Sequence, residues 1–171
     1  MERQERKPTR LGGYDYSHDG AYFVTICTKD RKCVLSRIET VGEGLCALPS
    51  VKLTPIGEIV EASIGYLNSS VEGFTVEKYV IMPNHIHLLV RIFETGGHRG
   101  PPLHKVIGQF KSYTTHRYRK VLWQRSFHDH VIRGEEDYLD IWRYVDENPY
   151  QWQEDCFYIP DASSPIPRRY L

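Results

Sequence analysis

The sequence predicts an α+β domain: a ferredoxin-like, split-βαβ sandwich whose antiparallel sheet carries helices on one face, followed by one further helix. Three observations predict it. The length, 171 residues, suits a single domain spanning 1–171 with a sizeable core. Three segments read as helices from apolar spacing and end signals, and four read as strands from aromatic and β-branched runs. Their order is strand, helix, strand, strand, helix, strand, helix, and the first six match the split-βαβ pattern.

"AYFVTICT" (Ala21 to Thr28) is the first strand, and residues 31–50, with Gly42, Gly44 and Pro49, form a hairpin or loop excursion. Thr54 stands as N-cap before Pro55, and Ile56, Ile59, Val60, Ile64 and Leu67 follow at helical spacing, so Thr54 to Asn68 is an amphipathic helix. "FTVEKYVIMPNHIHLLVRI" is a pair of strands broken by Pro83-Asn84. Leu103 to Val121 is a second helix, "WQRSFHDHVIR" a further strand, and "EEDYLDIWRYVDENP" a third helix closed by Asn148-Pro149. Residues 1–13 read as a basic, flexible arm, and 151–171, with Pro160, Pro165 and Pro167, as an irregular tail.

Composition narrows the classes. Lys plus Arg and Asp plus Glu both number 22, so the net charge gives no support to a nucleic-acid binder without excluding one, and Glu2 to Arg10 and Arg117 to Lys120 are locally basic. Cys27, Cys33, Cys46 and Cys156 form no C-x-x-C and no zinc-like spacing, which fits a reducing cytoplasm. The charged N-terminus is no signal peptide, and no apolar run reaches the roughly 18 residues of a membrane span.

The chemistry concentrates in "IMPNHIHLLV". His85 and His87 are two apart in a strand, so both side chains leave the same face. Two imidazoles so placed can share one divalent cation and leave its other positions open for substrate. The plain alternative is a pair of half-buried histidines bonded to backbone. Leaving two imidazoles without partners in so apolar a strand would be unfavourable. His128 and His130 form a second pair, but Asp129 between them makes a solvated edge the simpler reading.

The third helix supplies a tyrosine. Tyr144 and Asn148 are four apart and share a helical face. An Asn carbonyl is a hard oxygen ligand suited to Mg²⁺ or Mn²⁺, and a tyrosine beside a cation is a potential nucleophile. Against this, twelve tyrosines are present and most must be packing or surface residues; an Asn before Pro149 is also an ordinary helix end.

"YVIMPNHIHLLV", "FKSYTTHRY", "WQRSFHDHVIR" and "YVDENP", in that order, resemble the single-tyrosine HUH transposases, and within them the REP-associated tyrosine transposases of bacterial chromosomes. The likeness runs from about Tyr14 to Trp152. It implies that His85 and His87 hold the metal, that Tyr144 is the nucleophile, and that Asn148 stands where the insertion-sequence branch has a metal-holding glutamine. Asn is one methylene shorter. Tyr113 is the runner-up nucleophile.

The resemblance implies cutting of single-stranded or hairpin DNA through a 5′-phosphotyrosine, with Mg²⁺ or Mn²⁺ as cofactor, by a monomer rather than a helix-swapped homodimer, in the bacterial cytoplasm at the nucleoid. Phosphate contacts are expected from Arg3, Arg6, Lys7 and Arg10 on the arm and from Lys105, Lys111, Arg117, Arg119 and Lys120 on or near the second helix. Arg125 and Arg133 flank the last strand, and Tyr113, Tyr118 and Trp123 are candidates for stacking on unpaired bases. Three rival readings stand beside this one: a module that grips hairpin DNA without cutting, a metal-dependent phosphodiesterase in which water attacks, and a ferredoxin-like RNA-binding protein.

Overall fold

A computed structural model describes residues 19–41, 48–97 and 99–159. Among these residues six strands and three α-helices follow one another: β1 (Gly20–Cys27), β2 (Ser36–Val41), β3 (Leu48–Leu53), α1 (Pro55–Ser70), β4 (Phe74–Ile81), β5 (His85–Ile92), α2 (Leu103–Tyr118), β6 (His128–Val131) and α3 (Glu135–Glu147). The main sheet has the order β4-β5-β1-β6, with every neighbouring pair antiparallel. β1 and β4 therefore run parallel with β5 between them, which is the split-βαβ arrangement read from the sequence. Residues 31–50 contribute to a separate hairpin of β2 and β3.

Period-2 alternation sorts the sheet into two faces. Tyr22, Val24 and Ile26 of β1 and Ile86, Leu88, Val90 and Ile92 of β5 join the large core with α1 and α2. The opposite face carries Phe23, Thr25, His85 and His87, and α3 lies on that side against β4 and β5. Val80, Met82, Val145 and Trp152 form the small second core there. Two helices thus cover one face, and the C-terminal helix stands apart on the other.

Local chemistry sets the element ends. The Thr54 hydroxyl accepts from Gly57 N at 3.2 Å, and Pro55 occupies the first turn, so α1 begins where its capping residues place it. Gly57 permits a close approach: a Cβ there would collide with the Leu35 carbonyl. α2 stops at Tyr118, short of the expected Val121. Arg119 takes a left-handed conformation (φ 60°) and bonds back to Thr115 and His116. The reversal turns Leu122 and Trp123 into the core. The expected strand "WQRSFHDHVIR" consequently shortens to His128–Val131.

α3 is tied to the sheet by charge. A register shift in β4 between Val76 and Lys78 brings Glu77 to Arg91 (2.6 Å) and to the Tyr138 hydroxyl (2.9 Å). Lys78 pairs with Asp146 at 2.6 Å over the Trp142 ring. The tail beyond 151 is not wholly irregular: residues Trp152–Glu154 form one 3-10 turn, and the chain to 159 folds back over the sheet. No helix among the described residues is long and apolar enough to cross a membrane.

Candidate active site

The two histidines open β5 at the centre of the sheet, with relative exposures of 0% and 1%. Their Nε2 atoms are 3.0 Å apart. Each is oriented from behind. Asn84 donates its amide N–H to the Phe157 carbonyl (2.8 Å), which turns its Oδ1 toward His85 Nδ1 at 3.0 Å. That nitrogen therefore carries the proton, and His85 Nε2 presents a lone pair. His87 Nδ1 lies 2.9 Å from the Thr25 hydroxyl.

Two protonation patterns close this set. In the metal-free pattern the Thr25 hydroxyl donates to His87 Nδ1, and His87 Nε2–H donates to His85. In the ligand pattern His87 Nδ1–H donates to Thr25, and two lone pairs converge. Two converging lone pairs repel unless a cation stands between them. Burial lowers the pKa of His85 to about 4, against the opposing pull of Asp155, and burial with the neighbouring His85 holds His87 well below its ordinary value. Both are neutral near pH 7, the form that binds metal.

A third group arrives from the tail. Asp155 Oδ2 lies 3.8 Å from His85 Nε2, and ligand atoms of His85, His87 and Asp155 fall within 4.8 Å of one another. This set of two imidazoles and one carboxylate suits a divalent cation. Asn148 is beside it: its Nδ2 donates to Asp155 Oδ2 at 3.1 Å, while its Oδ1 is buried with no hydrogen-bond partner. An orphaned buried oxygen beside three ligand atoms is where a cation would supply the missing partner. Cys27 is opposite His85 in the sheet register, but burial pushes its thiol up to about 11, so it stays protonated.

Tyr144 completes the cluster from α3. Its hydroxyl is 3.4 Å from His87 Nε2, and it is 38% exposed, with Phe23 against its edge. Desolvation, then the charges of Asp155 and Cys156, push its pKa up to about 12. His85, His87, Tyr144 and Asn148, named from helix and strand periodicity, are thus brought together. Asp155, Asn84, Thr25 and Phe157 were missed. Only the carboxylate in "EDCF", seven residues beyond Asn148, was a visible signal.

Other expected residues fall elsewhere. Tyr113 is 56% exposed on α2, and the sheet separates that helix from the histidines, so it is no nucleophile for this site. Trp123 is buried and donates to the Thr114 hydroxyl at 2.7 Å; it is a core residue and cannot stack on a base. Tyr118 packs against the same core. The Lys111 ammonium meets the carbonyls of Gln124 (2.8 Å), Arg125 (3.0 Å) and Ser126 (3.4 Å), which commits it to holding the loop before β6 rather than a phosphate. Lys105, Arg117, Arg119, Lys120, Arg125 and Arg133 are exposed, and Lys120 lines a cleft with Lys29 and Lys32. Arg3, Arg6, Lys7 and Arg10 lie outside the described residues. His128 and His130 share the sheet face of His87 but stand on the edge strand; His130 pairs with Asp137 at 2.9 Å and His128 is exposed.

The split-βαβ sheet thus presents a His-x-His pair to a tyrosine on a later helix. Among solved structures the chain is similar to a REP-associated tyrosine transposase bound to a REP hairpin: TM-score 0.57, 20% identity, covering 88% of this chain and 74% of that one. The fold expected from the sequence resemblance is therefore the fold found. An uncharacterized protein of Haemophilus influenzae is 28% identical over 176 residues, 90% of this chain and 93% of the relative. No protein-family model matches the chain.

Proposed function

We propose that this protein is a metal-dependent single-stranded DNA endonuclease and strand transferase that cuts at hairpin DNA through a 5′-phosphotyrosine. The observation that carries this reading is the Tyr144 hydroxyl, 3.4 Å from His87 within a buried set of ligand atoms. The transposase fold supports it, and so does the hairpin held by the structural neighbour.

His85, His87 and Asp155 would hold Mg²⁺ or Mn²⁺, with Asn148 Oδ1 beside them. The bound cation supplies Lewis-acid stabilisation of the charge that gathers on the phosphate. Tyr144 is the nucleophile. In the protein alone, burial above all and then Asp155 keep it a phenol; neutralising Asp155 would remove the second of these and ease its ionisation. Its oxygen attacks phosphorus in line, its proton passes to solvent, and the bond to the 3′ oxygen breaks, that oxygen taking a proton from solvent as it leaves. The products are a 5′-phosphotyrosine and a free 3′-OH. A 3′-OH attacking the same phosphorus expels Tyr144 and rejoins DNA without another energy source. α3 is anchored by Lys78–Asp146 and Tyr138–Glu77, so the nucleophile is held on a rigid element, which lowers the entropic part of the barrier.

Exposed Lys105, Arg117, Arg119, Lys120, Arg125 and Arg133, with Arg6, Lys7 and Arg10 of the arm, would take DNA phosphates. The protein would act as a monomer in the bacterial cytoplasm, at the nucleoid. The test is a denaturing gel with labelled hairpin DNA flanking its own gene, in Mn²⁺ or Mg²⁺, for wild type, Tyr144→Phe and His85→Ala. A protease-sensitive adduct in wild type alone is expected. Cleavage that persists in Tyr144→Phe without an adduct would move the attack to water, and with an adduct to another tyrosine such as Tyr113. Binding without cleavage by any variant would leave a hairpin-binding module.

A further inference from the structure

We propose that Arg31 is a positioning residue of the metal centre: from a strained turn after β1 it fixes the peptide between Cys156 and Phe157, so that Asp155 faces His85 and His87. This rests on the metal-centre reading above. The first observation is backbone strain. Asp30 and Arg31 both have left-handed φ values, 57° and 54°, and neither is glycine. Consecutive non-glycine residues in this region are unfavourable and persist only where the surroundings hold them. Here Thr28 does so. Its N–H donates to the Asn84 carbonyl at 2.9 Å, and its hydroxyl lies between that carbonyl and that of Lys32. The turn is thus pinned to the residue that orients His85.

The second observation is where the side chain goes. Arg31 Nη1 donates to the Cys156 carbonyl at 3.2 Å, across 125 positions of sequence, and the guanidinium lies 5.1 Å from the Phe157 ring centroid. No carboxylate among the described residues pairs with it. The Cys156 carbonyl and the Phe157 N–H belong to one planar trans peptide and point in opposite directions. Holding the oxygen toward Arg31 aims the N–H the other way, and there it donates to Asp155 Oδ1 at 2.7 Å. A cationic donor on the carbonyl also polarises the amide and strengthens that bond. Asp155 Oδ2 is then left facing His85 Nε2 and Asn148. The Phe157 carbonyl in turn receives Asn84. The strained turn therefore reaches both the carboxylate and one imidazole.

Arg31→Gly separates this role from plain structural support, because glycine adopts φ near 54° without strain while the guanidinium is lost. The assay is Co²⁺ titration followed by affinity and visible spectrum, with amide hydrogen exchange at Phe157 in metal-free protein. Arg31→Gly is expected to bind Co²⁺ about tenfold more weakly, with an altered spectrum. Phe157 exchange should be several-fold faster and the thermal midpoint no lower than wild type. Arg31→Lys, which keeps a cationic donor, should recover part of the affinity. Wild-type affinity, spectrum and Phe157 protection in Arg31→Gly would overturn the proposal. A wild-type protein that binds no Co²⁺ would overturn the metal-centre reading and this proposal with it; that failure is told apart because it precedes any substitution.

Discussion

Acidification between pH 6.5 and 4.5 should destabilise the metal-free protein through its buried histidines. The folded state holds His85 neutral, with its pKa lowered from 6.5 to about 4. In the unfolded chain it titrates at its ordinary value, so between these limits the unfolded state binds more protons. Stability is then complete above about pH 6.5 and is lost as pH falls toward 4. The slope is about 1.4 kcal/mol per pH unit for one such group, so His85 alone removes about 3 kcal/mol by pH 4.5. His87, also lowered by burial, acts in the same direction. Carboxylates held low by hydrogen bonds, such as Asp137, lose their contribution only at more acid pH and do not confuse the window. Urea unfolding at pH 7, 5.5 and 4.5 with chelator present measures this. At about 2 kcal/mol per molar urea, the midpoint should fall by roughly 1.5 M or more. His85→Gln, which keeps a polar group of similar size, should flatten the profile. A flat wild-type profile, or an unchanged slope in His85→Gln, would refute the reading of His85 as a buried neutral imidazole.

Asp155→Asn removes a ligand charge while preserving shape, and should weaken Mn²⁺ binding at least tenfold by calorimetry. Trp123→Ala, which empties a core site and removes the bond it donates to the Thr114 hydroxyl, should cost about 3–5 kcal/mol in denaturant unfolding. Its hairpin affinity, measured where the variant is folded, should stay near wild type. Tyr113→Phe should leave the phosphotyrosine adduct on a denaturing gel unchanged; loss of the adduct would restore it as a nucleophile.

Most of the fold was legible because its signals are local. A strand places residues two apart on one face whatever surrounds it, so "HIH" alone put His85 and His87 side by side. A helix places residues four apart on one face, so Tyr144 and Asn148 were paired before any fold was known. Thr54-Pro55 marked the start of α1 because capping is decided within a single turn. The order of these elements sufficed for the split-βαβ sheet.

The remainder depended on contacts far apart in sequence. Asp155 meets His85 across 70 positions only because the tail folds back over β5, and nothing periodic in that tail announces it. Thr25 reaches His87 through the register of β1 on β5. The sheet itself stands between Tyr113 and the histidines, which no spacing along the chain can express. Trp123 looked like a stacking residue until the left-handed cap at Arg119 turned it inward. Local periodicity is set by backbone geometry and can be read residue by residue. The third ligand, the orientation of each imidazole and the grip of Arg31 arise where distant segments meet, and only the tertiary structure decided them.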